Sequence, residues 1–152
     1  MSIEARLAEL GVTLPAPSAP LAIYRPALRR GNSVYVSGQL ASVDGRVETP
    51  GRLGAEVSVE TGQQAARLAA INVLATVRGL LGTLEGLRVV RLVGYVACAP
   101  DFDQHPAVVN GASALLRDVF GEERGVGVRL ALGMASLPAR SPVEVEVLFE
   151  VE

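Results

Sequence analysis

An α+β fold, with two helices laid on one face of a β-sheet, is what this sequence predicts, and three observations carry it. Residues 59–81 keep apolar side chains at the helical period, with Ala66, Ala69, Ala70, Val73, Leu74, Val77, Leu80 and Leu81 on one stripe. Residues 105–121 repeat the pattern with Val109, Ala112, Leu116 and Val119. Around them, segments 32–41, 88–99, 127–135 and 142–151 are rich in β-branched residues or alternate apolar and polar ones, as strands do. The order of strands, helix, strand, helix and two closing strands suits a sheet covered on one side, in a single domain spanning 1–152.

Each element has local reasons. Residues 2–10 form a short amphipathic helix: Ser2 caps it, Ile3, Leu7 and Leu10 share a stripe, and Gly11 ends it. Four prolines among residues 15–26 make the next stretch an extended connector, so residues 1–20 are an N-terminal helix and Pro-rich lead-in. The strand at 32–41 runs into an Asp-Gly tight turn at 44–45. Gly82 stops the long helix, Pro106 sits in the first turn of the second, and Gly121 ends it. The last two strands are joined by the segment SLPARS.

Composition removes whole classes of chemistry. With 49% hydrophobic and 20% charged residues the chain is not disordered. Every apolar run is broken before it reaches membrane-spanning length, and the N-terminus lacks the basic start of a signal peptide. A cytoplasmic protein without membrane partners is expected. One cysteine, Cys98, and one histidine, His105, build neither a disulfide nor a thiolate or histidine metal cluster, and no metal is expected. All fourteen basic residues are arginine, which excludes Schiff-base catalysis, a pyridoxal-phosphate attachment site and a P-loop lysine. A net charge of −2 with 4% aromatics argues against a nucleic-acid partner.

Strand parity directs attention to Arg129. In the last strand Val143, Val145, Val147, Phe149 and Val151 share a side, which the helices should cover, and Glu144, Glu146, Glu150 and Glu152 share the other. In the strand before it Val128, Leu130, Leu132 and Met134 are expected to face the helices. Arg129, Ala131, Gly133 and Ala135 are then on the opposite, small-sided face. Small residues there allow a second surface to come close, so a sheet-to-sheet oligomer contact is expected. A lone cation at such a contact calls for an anion.

Three stretches in order resemble one family. GNSVYVSGQL is similar to the glycine-rich first strand of the RidA/YjgF proteins, AVVNGASALLRDVFG to their second helix, and VRLALGMASLPARSPVEVEV to their closing pattern. The likeness covers about residues 21–151 and points to a longer-chain subgroup. It implies a chorismate-mutase-like fold and a homotrimer with sites in the clefts between subunits. It also implies hydrolysis of reactive enamines and imines to 2-keto acids and ammonia, without a cofactor. By the same likeness Arg129 clamps the substrate carboxylate and Glu144 positions the hydrolytic water. Tyr24, Gly38 and Asn110 complete the substrate site. Leu130 and Ala131 stand where the common pattern continues with Ser-Cys.

Blander roles stand beside these. Arg129 pairs with Glu144 or Glu146, Tyr24 packs after the connector, Asn110 serves the backbone near a helix start, or Gly38 marks a strand bulge. Cys98 reads as a small buried hydrophobe and His105 as part of a helix entrance. Two other functions compete with the deaminase: a trimeric binding or sensing module for small carboxylates and, more distantly, an endoribonuclease.

Overall fold

A computed structural model describes residues 1–152. The five-stranded sheet has the order β1-β2-β7-β5-β6, with β1 at Ala27–Arg30, β2 at Ser33–Leu40, β5 at Leu87–Ala97, β6 at Val128–Met134 and β7 at Val143–Val151. All neighbours run antiparallel except β5 and β6. That parallel pair requires a crossover, which helix α3 (His105–Phe120) and the one-turn α4 (Glu122–Gly125) provide. Strands β3 (Ser42–Val43) and β4 (Arg46–Val47) form a separate hairpin, whose Asp44 and Gly45 take φ of 49° and 76°. Both values are positive, as a two-residue hairpin turn of this hand demands.

Helix α1 (Ile3–Glu9) is capped by Ser2, which accepts from the Ala5 amide. Helix α2 (Val59–Leu81) starts in the same way, with Ser58 accepting from Thr61. It ends at Gly82, whose φ of 76° is the left-handed conformation a glycine adopts without a Cβ penalty. The α2 stripe that touches the sheet is mostly alanine, including Ala65, Ala66, Ala69 and Ala70, and it lets the helix axis come close. Val73, Leu74 and Val77 fill the same layer against Val34, Val143, Val145 and Phe149. Each large side chain buried here contributes roughly 1.5–3 kcal/mol.

Three glycines set the position of α3. A Cβ at Gly111 would stand on the backbone carbonyl of Gln63 in α2, and one at Gly94 in β5 would overlap the Val109 side chain. A Cβ at Gly133 in β6 would lie 2.6 Å from Nε2 of His105. The helix therefore lies down on α2, β5 and the sheet edge together.

This packing reverses the orientation expected for β6. The register pairs Arg129 with Leu92, and Leu92 in turn with Val147, both of which point at the helices. Arg129, Ala131 and Gly133 thus lie under α3. Val128, Leu130 and Leu132 face away and are 67%, 48% and 39% exposed. Small residues do mark a close approach, but the approaching surface is the chain's own helix. The expected small-sided contact face is in fact an apolar one.

Gly111→Ala tests the packing. The added methyl meets backbone rather than a side chain end, so α2 and α3 must separate, and we expect a loss of about 1–3 kcal/mol. Urea unfolding should show a lower midpoint with an unchanged slope.

Candidate active site

Arg129 lies on the edge strand, half-buried, and reaches across to the first three turns of α3. Its Nη1 donates to Oδ1 of Asn110 at 2.7 Å and to Oγ of Ser113 at 3.2 Å, while Nη2 donates to the Pro106 carbonyl at 3.5 Å. Asn110 and Ser113 are one helical turn apart, so both point the same way toward the strand. All these acceptors are neutral. Arg129 pairs with neither Glu144 nor Glu146; Glu146 is held instead by Arg91, at 3.2 Å. The guanidinium is oriented but its charge is unmatched within the chain.

Glu144 occupies the other face of the sheet. It lies in register with Leu40 on one side and Tyr95 on the other, and Tyr95 pairs with the outward-facing Leu132. Its carboxylate fills the space a side chain at Gly38 would need: a Cβ there would overlap Oε1. The pairing of β2 with β7 shifts register between Val36 and Gln39, so Gly38 also marks a bulge. Burial pushes the Glu144 carboxyl above its ordinary range, and the neighbouring Glu146 adds to the shift. A carboxyl shifted in this direction holds a proton more readily than a solvated one and is a better general base once ionised.

Tyr24 follows the Pro-rich connector and is 44% exposed, its hydroxyl accepting weakly from the Leu21 amide at 3.3 Å. It shares with Gly38 a groove of about 710 Å³ bounded by the connector, the end of β2, the β3–β4 hairpin and α2. The five residues singled out in the sequence therefore form two groups. Arg129 and Asn110 make one, and Glu144, Gly38 and Tyr24 make the other. Three residue steps along the strands and two strands across separate Arg129 from Glu144, roughly 14 Å along the sheet, on opposite faces.

Sequence reasoning missed Ser113, although its spacing of three from Asn110 was a usable signal. It also treated Cys98 and His105 separately. Sγ of Cys98 and Nε2 of His105 are 3.4 Å apart above Gly133, and the His105 ring meets Phe102 edge-on with centroids 5.3 Å apart. His105 does belong to the entrance of α3, and Cys98 is half-buried. No group of three or more His, Cys, Asp or Glu side chains is placed to hold a metal ion. No helix is long and apolar enough to cross a membrane.

Residues 4–151 match the family model described as "YjgF/chorismate mutase-like, putative endoribonuclease". Protein TCP17 of Trypanosoma cruzi is 41% identical over 150 residues, covering 98% of this chain and 94% of that one. The crystal structure of Atu1372 from Agrobacterium tumefaciens, a protein of unknown function, superposes with a TM-score of 0.91 at 44% identity. That match covers 99% of this chain and 92% of the other. A Shewanella oneidensis crystal structure carrying the same endoribonuclease description gives a TM-score of 0.94 at 32% identity, over 99% and 100% of the two chains.

The raised Glu144 carboxyl has a testable consequence for stability. A carboxyl that holds its proton more tightly when folded costs nothing below its unfolded pKa. Stability then falls as the pH rises through the folded value and stays lowered above it. Glu144→Gln is therefore expected to melt higher than wild type at pH 7–8, with the difference closing on acidification below about 4.3. Calorimetry across that range checks it; a lower melting temperature for the variant at pH 7 would show the ionised form to be held by a partner.

Proposed function

Because the chain belongs to the YjgF/chorismate-mutase-like family, we propose that it hydrolyses reactive enamines and imines of small carboxylic acids, with Arg129 as carboxylate clamp and Glu144 as the group that directs water. The observation that carries this reading is the state of Arg129: three neutral acceptors hold it in place and no carboxylate neutralises it. A planar guanidinium so prepared suits a two-oxygen anion, and a charge-assisted pair of this kind contributes about 1.5–3 kcal/mol.

In this mechanism an enamine first takes a proton at its β-carbon and becomes the imine. Glu144 accepts a proton from water as the oxygen attacks the imine carbon and returns it to nitrogen, giving a carbinolamine; a second transfer, from the carbinolamine hydroxyl to nitrogen, forms the carbonyl and breaks the C–N bond, so that ammonia leaves. The products are a 2-keto acid and ammonia, with water the sole co-reactant. Asn110 holds the clamp in position, Gly38 leaves room for the Glu144 carboxylate, and Tyr24 stands at the mouth.

Within one chain the clamp and the acid are too far apart for a substrate whose carboxylate is one bond from the imine carbon. The reading therefore includes a second subunit, whose Arg129 stands across a bound substrate from this chain's Glu144, in a homotrimer. What supports the assembly is the outward face of β6. Val128, Leu130 and Leu132 present adjacent apolar side chains at the sheet edge, a surface that an isolated chain would leave wet.

Assembly is tested first. Light scattering at micromolar concentration should give three times the chain mass, and Leu130→Glu, at a site 48% exposed in the single chain, should yield folded monomer. A wild-type monomer would overturn the shared site.

The clamp is tested by thermal shift. Small 2-keto acids should raise the melting temperature of wild type and leave Arg129→Ala unmoved, with Arg129→Lys recovering only part of the response. Without ligand, Arg129→Ala should change stability by less than about 1 kcal/mol, since only half-exposed neutral hydrogen bonds are lost. Glu144→Gln should bind the acids and lose turnover of enamines generated in situ, read by semicarbazide trapping. Equal stabilisation of wild type and Arg129→Ala would remove Arg129 from the site. Carboxylate binding without turnover by wild type would identify a binding module.

A further inference from the structure

We propose that the groove between the connector, the end of β2, the β3–β4 hairpin and α2 binds a protonated primary amine with an apolar body. The proposal stands apart from the deaminase reading and uses neither Arg129 nor Glu144. Two buried amides carry it. Gln39 and Asn72 are 9% and 6% exposed, and both line the groove. The Asn72 nitrogen donates to the carbonyls of Leu40 and Ser42, at 2.9 and 3.0 Å, and the Gln39 nitrogen donates to the Ser37 carbonyl at 3.3 Å. A carbonyl only accepts, so these bonds fix which end of each amide is nitrogen. Oδ1 of Asn72 and Oε1 of Gln39 are left without a donor from the chain, and neither is sealed off from solvent. The little surface these two residues keep is on the groove, so both oxygens open onto it. An amide oxygen held there costs free energy until a donor reaches it.

Strand register explains why Gln39 points into the groove. Val34 and Val36 of β2 pair with Phe149 and Val147 and are buried under the helices. After the register shift Gln39 pairs with Val145 and continues that series, whereas Leu40 pairs with Glu144 on the opposite face. A glutamine thus stands at the end of a row of core valines, on the side where the connector meets α2.

Charge and shape select the ligand. Asp44, exposed at the hairpin tip, is the carboxylate of the lining, and no arginine or histidine is among it. An anion would meet a carboxylate and two amide oxygens, whereas an ammonium brings three donors and a complementary charge. Apolar walls receive the remainder of such a ligand: Leu68 and Ile71 of α2, and Pro17, Pro20 and Leu21 of the connector. The volume of about 710 Å³ is within the range of small-molecule sites. The connector is anchored as well. Pro17 fits against Gly79, where a Cβ would come within 2.6 Å of the proline ring, and Arg78 donates to the Leu14 carbonyl at 3.4 Å. The walls are therefore in place before a ligand arrives, which lowers the cost of binding.

Isothermal titration of the assembled wild-type protein with 2-phenylethylamine at pH 7 tests the site, with 2-phenylethanol as the uncharged probe of the same shape. We expect saturable binding, with the amine held about tenfold more tightly than the alcohol, the scale of a charge-assisted hydrogen bond. Gln39→Met keeps the length of the side chain and removes the oxygen; it should weaken the amine about tenfold and the alcohol less. Asp44→Asn keeps a residue that tolerates the positive φ of the turn and should weaken the amine about two- to fivefold. Arg129→Ala should bind the amine as wild type does. No saturable binding of the amine, or equal affinity for amine and alcohol, would overturn the proposal. So would unchanged amine affinity in both Gln39→Met and Asp44→Asn, or its loss in Arg129→Ala, which would move the amine to the carboxylate site. If Gln39→Met does not fold, the preference for amine over alcohol and its reduction in Asp44→Asn decide the matter together. None of these outcomes bears on turnover of imines, so the two readings stand or fall separately.

Discussion

The close approach of α3 to its neighbours is the constraint on which the rest of this structure depends. At Gly111 and Gly94 no side chain fits between the helix and α2 and β5 respectively. Contacts against backbone or branched side chains cannot slide, because packed interiors have no slack for a methyl group. The helix is thereby fixed in rotation as well as in height. Rotation matters most, since it aims Asn110 and Ser113 at the edge strand and so decides where the Arg129 guanidinium rests. An arginine on an edge strand otherwise explores many rotamers at a considerable entropic cost to order.

The same packing gives the sheet its division of labour. One face is taken entirely by α2 and α3 over a continuous apolar core. The other carries Glu144, Glu146, Arg91 and Tyr95 near its centre, with exposed Val128, Leu130 and Leu132 along the β6 edge. Since β6 contributes to both, Arg129 and the apolar edge are on two sides of one strand. Any surface that covers Leu130 and Leu132 is brought next to Arg129 by the strand itself.

Much of this was legible in the sequence because the core is periodic. The long helix was read at 59–81 and is found at Val59–Leu81, and the second at 105–121 ends one residue earlier, at Phe120. Caps at Ser2 and Gly82 and the Asp-Gly turn behaved as their chemistry dictates. Strand β1 was missed because four residues containing Arg29 and Arg30, just after Pro26, carry no alternation to detect. The one-turn α4 is too short to show a period. The reversal of β6 has a different origin. Alternation tells which residues share a side but not which side is covered, and this edge strand turns its small residues toward the helix and its large ones away. Parity singles out Arg129 and the family likeness gives Glu144 its role; parity placed both on the face away from the helices, and only the register shows them to lie on opposite faces.

Energetically the two groups resemble each other. Glu144 is half-buried with an acidic neighbour and no cation, and Arg129 is half-buried with hydrogen bonds and no anion. Either charge would be more comfortable if the two were joined, and the fold keeps them apart. Groups left this way cost stability in the free chain, and a core of 32 buried residues is large enough to bear it. Under the proposed function what is gained is readiness: within the chain neither group has an ion pair to break before a ligand is bound. Interaction energy then appears when the ligand arrives, which is when preorganised charge acts most strongly on binding and on a developing transition state.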